Sequence, residues 1–281
     1  MGSGSRHEDR NLEMTALSFT ILYTLFIWWF STGAILYLDG LPRSTYKYSF
    51  AAATLVLIAA LYGLDHSAAD TSVSGAVIAF SSSLMVWGWL EMSFLMGYIT
   101  GSRRTPCPLG ARGWRRARYA FEAVMHHELA LATGAAAVGA LSFDADNGTG
   151  FWTYMILWML RSSAKLNVFL GVRNLSEAFL PEHLRYLQTY FMRKPMNLLF
   201  PFSVIAATTV ATLLWRLALL APEGSFEAVS LGFLATLLSL AVLEHWFLVL
   251  PIPADALWRW GMRSRGAEDE RLIKEGVRAS R

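Results

Sequence analysis

Long apolar runs separated by short polar stretches dominate the sequence. Six runs are long enough to cross a hydrocarbon core of about 30 Å as helices. They lie at 15–38, 73–99, 119–141, 151–170, 198–220 and 229–250. A seventh run, 49–64, is shorter, but Tyr46 and Tyr48 can extend it into the membrane interface. The pattern predicts an all-α, polytopic membrane protein with a bundle of about seven transmembrane helices.

Lysine and arginine residues alternate from one connection to the next. Nineteen of the 24 lie in four segments, at 39–48, 101–118, 171–197 and beyond Leu250. The connections 65–72, 142–150 and 221–228 contain none. Because basic residues stay on the cytoplasmic side, this alternation predicts an outside N-terminus and a cytoplasmic C-terminus.

Composition agrees with a chain that lies mostly in lipid. Hydrophobic residues make up 54% and charged residues only 16%, which excludes an ordinary soluble domain. The net charge of +3 does not indicate nucleic-acid binding, because the basic residues form blocks between apolar runs. The single cysteine, Cys107, excludes an internal disulfide and a cysteine-based zinc site. These features suit a bacterial inner membrane, cytoplasmic or intracytoplasmic.

Three regions follow from the pattern. Residues 1–14 form a hydrophilic leader, and Met14 is an alternative start. Residues 15–253 form the seven-helix domain. In residues 254–281, Trp258 and Trp260 alternate with arginines, which predicts a short interfacial helix at 254–262 before a charged tail.

Charged and imidazole side chains occur within the predicted spans, where each charge costs about 2.5–3.5 kcal/mol on insertion scales. They are Glu91, Glu122, His126, His127, Glu128, Arg161, Lys165, Glu244 and His245. The predicted orientation places all of them in the cytoplasmic half, beside Glu177, Glu182 and His183 of the 171–197 connection. Glu122 and His126 are four residues apart and share a helix face, whereas His127 points about 100° away.

Three explanations of these residues stay open. Glu91, Glu122, His126, Glu244 and His245 are of the types that hold iron, manganese or zinc inside helix bundles. Alternatively, His126, His127 and His245 can ligate a haem or a bacteriochlorophyll magnesium, with Trp87 packing on the macrocycle. In the third explanation, Arg161 and Lys165 neutralise the carboxylates and no cofactor binds.

The order of several motifs resembles the PuhE family of photosynthetic-complex assembly proteins. The motifs are Phe26-Ile27-Trp28-Trp29-Phe30-Ser31-Thr32-Gly33-Ala34, Asp39-Gly40-Leu41-Pro42, Trp87-Gly88-Trp89-Leu90-Glu91, Gly97-Tyr98-Ile99-Thr100-Gly101, His126-His127-Glu128, Arg173-Asn174-Leu175 and Glu244-His245-Trp246. The resemblance covers nearly all of 15–253 and brings no established catalytic residues. It implies a phototroph of the purple-bacterial type, with reaction-centre or antenna subunits and pigment-synthesis proteins as partners.

Two classes of function are therefore expected. The first is a non-catalytic membrane factor for assembly of the photosynthetic reaction centre and antenna, or for bacteriochlorophyll handling. The alternative is a membrane metalloenzyme that acts on a lipid-soluble tetrapyrrole or carotenoid through the Glu/His site.

Overall fold

The computed structural model describes the backbone of residues 4–265 and the side chains of 16–253 and 255–265. Within these residues the chain is helical, without a β-strand. The long helices are α1 (Gly4–Asp39), α2 (Tyr46–Ser67), α3 (Val73–Leu95), α4 (Gly113–Ser142), α5 (Thr149–Leu170), α6 (Leu199–Leu220) and α7 (Phe226–Phe247). Each predicted apolar run therefore lies on a long helix, including the short run that became α2.

Five of the helices are long and apolar enough to cross a membrane. These candidate spans are Ala16–Asp39, Arg43–Ser67, Val73–Leu95, Leu199–Leu220 and Phe226–Phe247. The helices α4 and α5 have similar lengths but are less apolar, because they contain the charged and imidazole side chains described below.

The helices α3 and α7 form the centre of the bundle, and α1, α2 and α6 lie around them. In the most apolar window of α7, 61% of the residues are buried, against 11% in that of α2. Phe80 of α3 stacks on Phe233 of α7 with ring centroids 4.5 Å apart. The outer helices instead expose large apolar side chains, such as Leu55 (69%) and Phe202 (71%). Exposed apolar surface on this scale is typical of a protein whose surroundings are lipid or partner helices.

Side-chain caps fix several helix starts. The hydroxyl of Ser72 accepts a hydrogen bond from the amide of Gly75 at the start of α3, and Ser225 caps α7 in the same way. The Asn197 side-chain oxygen accepts from the first amides of α6. At the other end of α3, Gly97 adopts a φ of 82°, which turns the chain out of the helix.

The segment after α7 packs on α1. A 3-10 helix at Ala254–Trp258 places the Trp258 side chain, 4% exposed, against α1. The Trp258 indole donates to the carbonyl of Trp29, and the Trp29 indole donates to that of Leu257. The predicted interfacial segment 254–262 is thus docked on the bundle through its tryptophan. The charged tail 266–281 and residues 1–3 lie outside the described part.

Candidate functional site

The polar residues of the spans gather at one end of the bundle, called here the basic end. It carries the two long arginine-containing connections, α3 to α4 and α5 to α6. A 3-10 helix of the second connection, Glu182–Tyr190, closes this end by packing Leu184 and Leu187 against Phe94 and Ala123. Burial raises the pKa of Tyr190, whose hydroxyl accepts a hydrogen bond from Arg103.

A carboxylate and a guanidinium meet where α3 faces α5. Glu91, 8% exposed, accepts a hydrogen bond from Arg161 over 3.2 Å. Arg161 also lies within electrostatic reach of Glu244 on α7 and of Glu128 on α4. It is therefore the cation around which carboxylates from three other helices are arranged.

A second ion pair lies one turn further along α5. The ammonium of Lys165 donates to a carboxylate oxygen of Glu128 over 2.7 Å, which joins α5 to α4. Arg161 and Lys165 are four residues apart and so share a face of α5. Across this face, three carboxylates meet two cations, which leaves a formal excess of one negative charge.

The third carboxylate, Glu244, has a neutral donor. The indole N–H of Trp28 donates to its Oε1 over 2.7 Å, which links α7 to α1. This contact gives Trp28, which the sequence offered only as part of a motif, a specific role in the site. No simple periodicity identifies it, because its partner lies 216 residues away.

His127 is completely buried and stands beside Glu91. Its Nε2 lies 3.9 Å from Glu91 Oε1, beyond hydrogen-bond distance, and its ring packs on that of Phe94 with centroids 4.5 Å apart. Among the described residues, neither imidazole nitrogen has a hydrogen-bond partner, and neither does Glu91 Oε1. Arg161 therefore satisfies only the other carboxylate oxygen, Oε2.

His245 belongs to a separate network. Its Nδ1 lies 2.8 Å from the carbonyl of Ala241, so Nδ1 carries the proton and Nε2 accepts from Ser163. Ser163 Oγ also lies 2.9 Å from Ser203 Oγ of α6, so its one proton can be donated either to His245 or to Ser203. These bonds tie α5, α6 and α7 together, and they satisfy the imidazole without a ligand.

The structure separates Glu122 and His126 from the rest of the predicted site. Glu122 pairs with Arg118 on the surface of α4, at 2.8 Å, and His126 is exposed. The expectation that both point inward is wrong, because the face of α4 that packs on α3 is the one with Ala123 and His127. Their shared face was correctly deduced, but its direction was not.

The other predicted ligands do not converge either. Trp87 meets the ring of Tyr154 edge-on at 5.5 Å within an apolar cluster. Among the described residues, no three His, Cys, Asp or Glu side chains lie close enough together to hold a metal ion. The donor set that the sequence suggested for iron or zinc is therefore dispersed over the outward face of α4 and two separate networks.

The segment between Gly97 and Arg103 is a feature of the site that periodicity did not predict. It lies along α4, where the His127 amide donates to the Thr100 carbonyl and the Arg103 amide donates to that of Glu122. At Gly101 the two backbones touch, since an added Cβ would lie 2.3 Å from the Glu122 carbonyl oxygen. The two glycines of Gly97-Tyr98-Ile99-Thr100-Gly101 were the only local signal of this approach.

Comparison with known proteins gives a family and one relative. The family model described as "Protein of unknown function (DUF3623)" matches residues 14–269. An uncharacterized 30.4 kDa protein in the puhA 5' region of Rhodobacter capsulatus is 39% identical over 249 residues, which cover 86% of this chain and 90% of that protein. No solved structure matches the chain.

Proposed function

The chain belongs to the DUF3623 family, and from that premise we propose that it is a non-catalytic membrane factor for photosynthetic-complex assembly or bacteriochlorophyll handling. The observation that carries the proposal is the relative from Rhodobacter capsulatus, which is described as a protein in the puhA 5' region. The order of motifs that resembles the PuhE family supports the same assignment.

In the proposed topology all seven long helices cross the membrane. The N-terminus is outside, and the C-terminus is cytoplasmic in a bacterial inner membrane. The alternation of basic connections supports seven crossings. In the less apolar α4 and α5, Lys165 pairs with Glu128 and Arg161 pairs with Glu91 of α3, and such pairing lowers the cost of burial in a bundle.

The lipid-facing helices suit a factor that holds other membrane subunits. Exposed apolar side chains line α2 and α6, for example Ile58 (59%) and Ile205 (64%). Reaction-centre and antenna subunits and pigment-synthesis proteins are the proposed partners. Pigment contact is proposed at His126, because its imidazole is exposed on α4 and makes no hydrogen bond in the described part of the chain.

The alternative, a metalloenzyme acting on a tetrapyrrole or carotenoid, has less support. Its Glu and His donors are dispersed, and Glu91, the most buried of its carboxylate donors, is already paired with Arg161. The ion-paired arrangement favours a structural and binding role for this end of the bundle.

Deletion of the gene in a phototrophic host tests the proposal. We expect lower bacteriochlorophyll content or lower yield of assembled reaction-centre complex under phototrophic conditions, with respiratory growth near normal. A plasmid copy of the gene should restore both quantities. Unchanged pigment spectra and unchanged complex yield in the deletion strain would remove the basis of the assignment.

A further inference from the structure

Unsatisfied polar atoms form a continuous group at the basic end. Of eleven buried side-chain nitrogen and oxygen atoms without a hydrogen-bond partner among the described residues, six belong to five neighbouring residues. They are Glu91 Oε1, Thr100 Oγ1, both ring nitrogens of His127, His183 Nε2 and Tyr186 Oη. Buried polar groups in native proteins are almost always paired, either with protein or with ordered water. A concentration of this kind in one place indicates a bound polar ligand.

The inner end of the group is the gap between His127 and Glu91. The 3.9 Å that separates Nε2 from Oε1 is too long for a direct hydrogen bond, but one water molecule beside the two atoms can bond to both. Leaving all three atoms unpaired would cost a few kcal/mol. Phe94 covers the ring of His127 on one side, so the water would be enclosed.

The outer end is the 3-10 helix Glu182–Tyr190. In a 3-10 helix residues three apart are on the same side, which puts His183 and Tyr186 on one face. That face meets the segment after α3: a Cβ built on Gly97 would lie 3.0 Å from His183 Nε2, and Tyr186 is within reach of the Thr100 hydroxyl. Neither hydroxyl makes a bond of good geometry, although they are neighbours.

Thr100 joins the two ends. Its carbonyl accepts from the His127 amide over 2.8 Å, and its side chain is 2% exposed. Thr100 is thus a neighbour of Tyr186 through its hydroxyl and of His127 through its backbone.

We propose that these five residues bind a short chain of buried water molecules that runs from the α5–α6 connection to Glu91. The water hydrates the ion pair, and it gives the carboxylate and His127 contact with protons from that side of the protein. The inference is independent of the proposed assembly role, because it concerns only whether water bonds to these five residues.

Deuterium exchange at the imidazole C2–H position tests this inference, because the exchange requires contact with solvent. The full chain, purified in detergent micelles, would be incubated in D2O and its histidine peptides analysed by mass spectrometry. The substitution His126→Gln would leave His127 as the sole imidazole in its peptide. His245 is the reference, since it is equally buried but has both nitrogens bonded to protein. We expect His127 to exchange at least about tenfold faster than His245. Equal, slow exchange of the two would overturn the water site.

Two substitutions test the route. Thr100→Val and Tyr186→Phe each remove a hydroxyl with little change of volume, and each should slow His127 exchange several-fold. The matched control is Thr236→Val, a buried hydroxyl in α7 that is satisfied by its own helix and should leave the rate unchanged. Melting curves establish that each variant is folded, and the conservative Tyr186→Phe keeps the test decisive if Thr100→Val unfolds. Fast His127 exchange that neither folded variant slows would overturn this route.

Discussion

Glu91 Oε2 and the Arg161 guanidinium lie 3.2 Å apart, and through this contact the buried carboxylate of α3 is held beside a cation of α5. The Glu91 side chain is 11% exposed and that of Arg161 is 48% exposed. If the pair is broken, the unpaired charge that is buried is therefore that of Glu91.

Removing Arg161 should destabilise the protein more than removing both partners. Arg161→Met leaves a buried carboxylate without its cation, and because the arginine is half exposed we expect a loss of about 2–3 kcal/mol, below the range for fully buried pairs. Combining it with Glu91→Leu should recover most of the loss. Melting temperatures and abundance in the membrane measure both effects.

The control for this cycle is the surface pair Arg118–Glu122. Its members are 2.8 Å apart, closer than Glu91 and Arg161, but the arginine side chain is 71% exposed. Arg118→Met should change stability by less than about 1 kcal/mol. Equal losses at the two pairs would contradict the central role of Arg161.

Topology can be tested with reporters that work only in the cytoplasm. A reporter fused after Arg281 or inserted within 101–118 should be active, whereas one inserted within 142–150 should be inactive. The reason is that nineteen basic residues lie on one proposed side. An active reporter within 142–150 would rule out the seven-span arrangement.

Periodicity and length predicted the helices well but predicted the site only in part. Each apolar run became a helix because backbone groups in lipid must pair within their own segment. Which face of α4 points into the bundle was not predictable, since Glu122, His126 and His127 are all polar. Only the packing of α4 on α3 decides which of them is buried. Long-range partners such as Trp28 and Glu244 follow from the arrangement of helices, which no local pattern specifies.

Gly101 should not tolerate a side chain. In Gly101→Ala the new Cβ would lie 2.3 Å from the backbone of α4, so the 97–103 segment must move away, and Thr100 and Arg103 lose their backbone bonds to His127 and Glu122. We expect a loss of at least about 1–3 kcal/mol. Gly139→Ala in α4 is the control, because its Cβ would meet only ordinary contacts from 3.6 Å and alanine favours helix. Thermal unfolding compares the two, and equal tolerance would contradict the close approach.

His183 should make stability depend on pH. Burial lowers the pKa of the His183 imidazole from the usual 6.5, and the positive charge of the nearby Arg43 has the second largest effect in the same direction. The folded protein thus binds this proton less tightly than the unfolded chain, so the stability of the neutral form is present above about pH 6.5 and is lost as pH falls toward the lower folded value. Unfolding temperature should drop between about pH 7.5 and 5.5, and His183→Gln should reduce that drop. An identical pH dependence in wild type and variant would refute the contribution of this imidazole.

Substitution of His126 distinguishes a role of this imidazole in binding from a role in stability. Its side chain is exposed on α4 and makes no hydrogen bond within the described residues, so His126→Ala should change stability by no more than about 0.5 kcal/mol. His245→Ala, in contrast, should lower abundance, because it removes a fully buried side chain and leaves a cavity between helices. If His126 contacts a pigment or a partner subunit as proposed, His126→Ala protein at normal abundance should still give a reduced complex yield.

The matched control for the complex yield is Leu129→Ala. This change is three residues further along α4, at a side chain that is 58% exposed, and it should leave the yield unchanged. Complex yield is measured from the absorption spectrum of membranes from phototrophic cultures. Full yield in a strain carrying both His126→Ala and His245→Ala would exclude both imidazoles from the function.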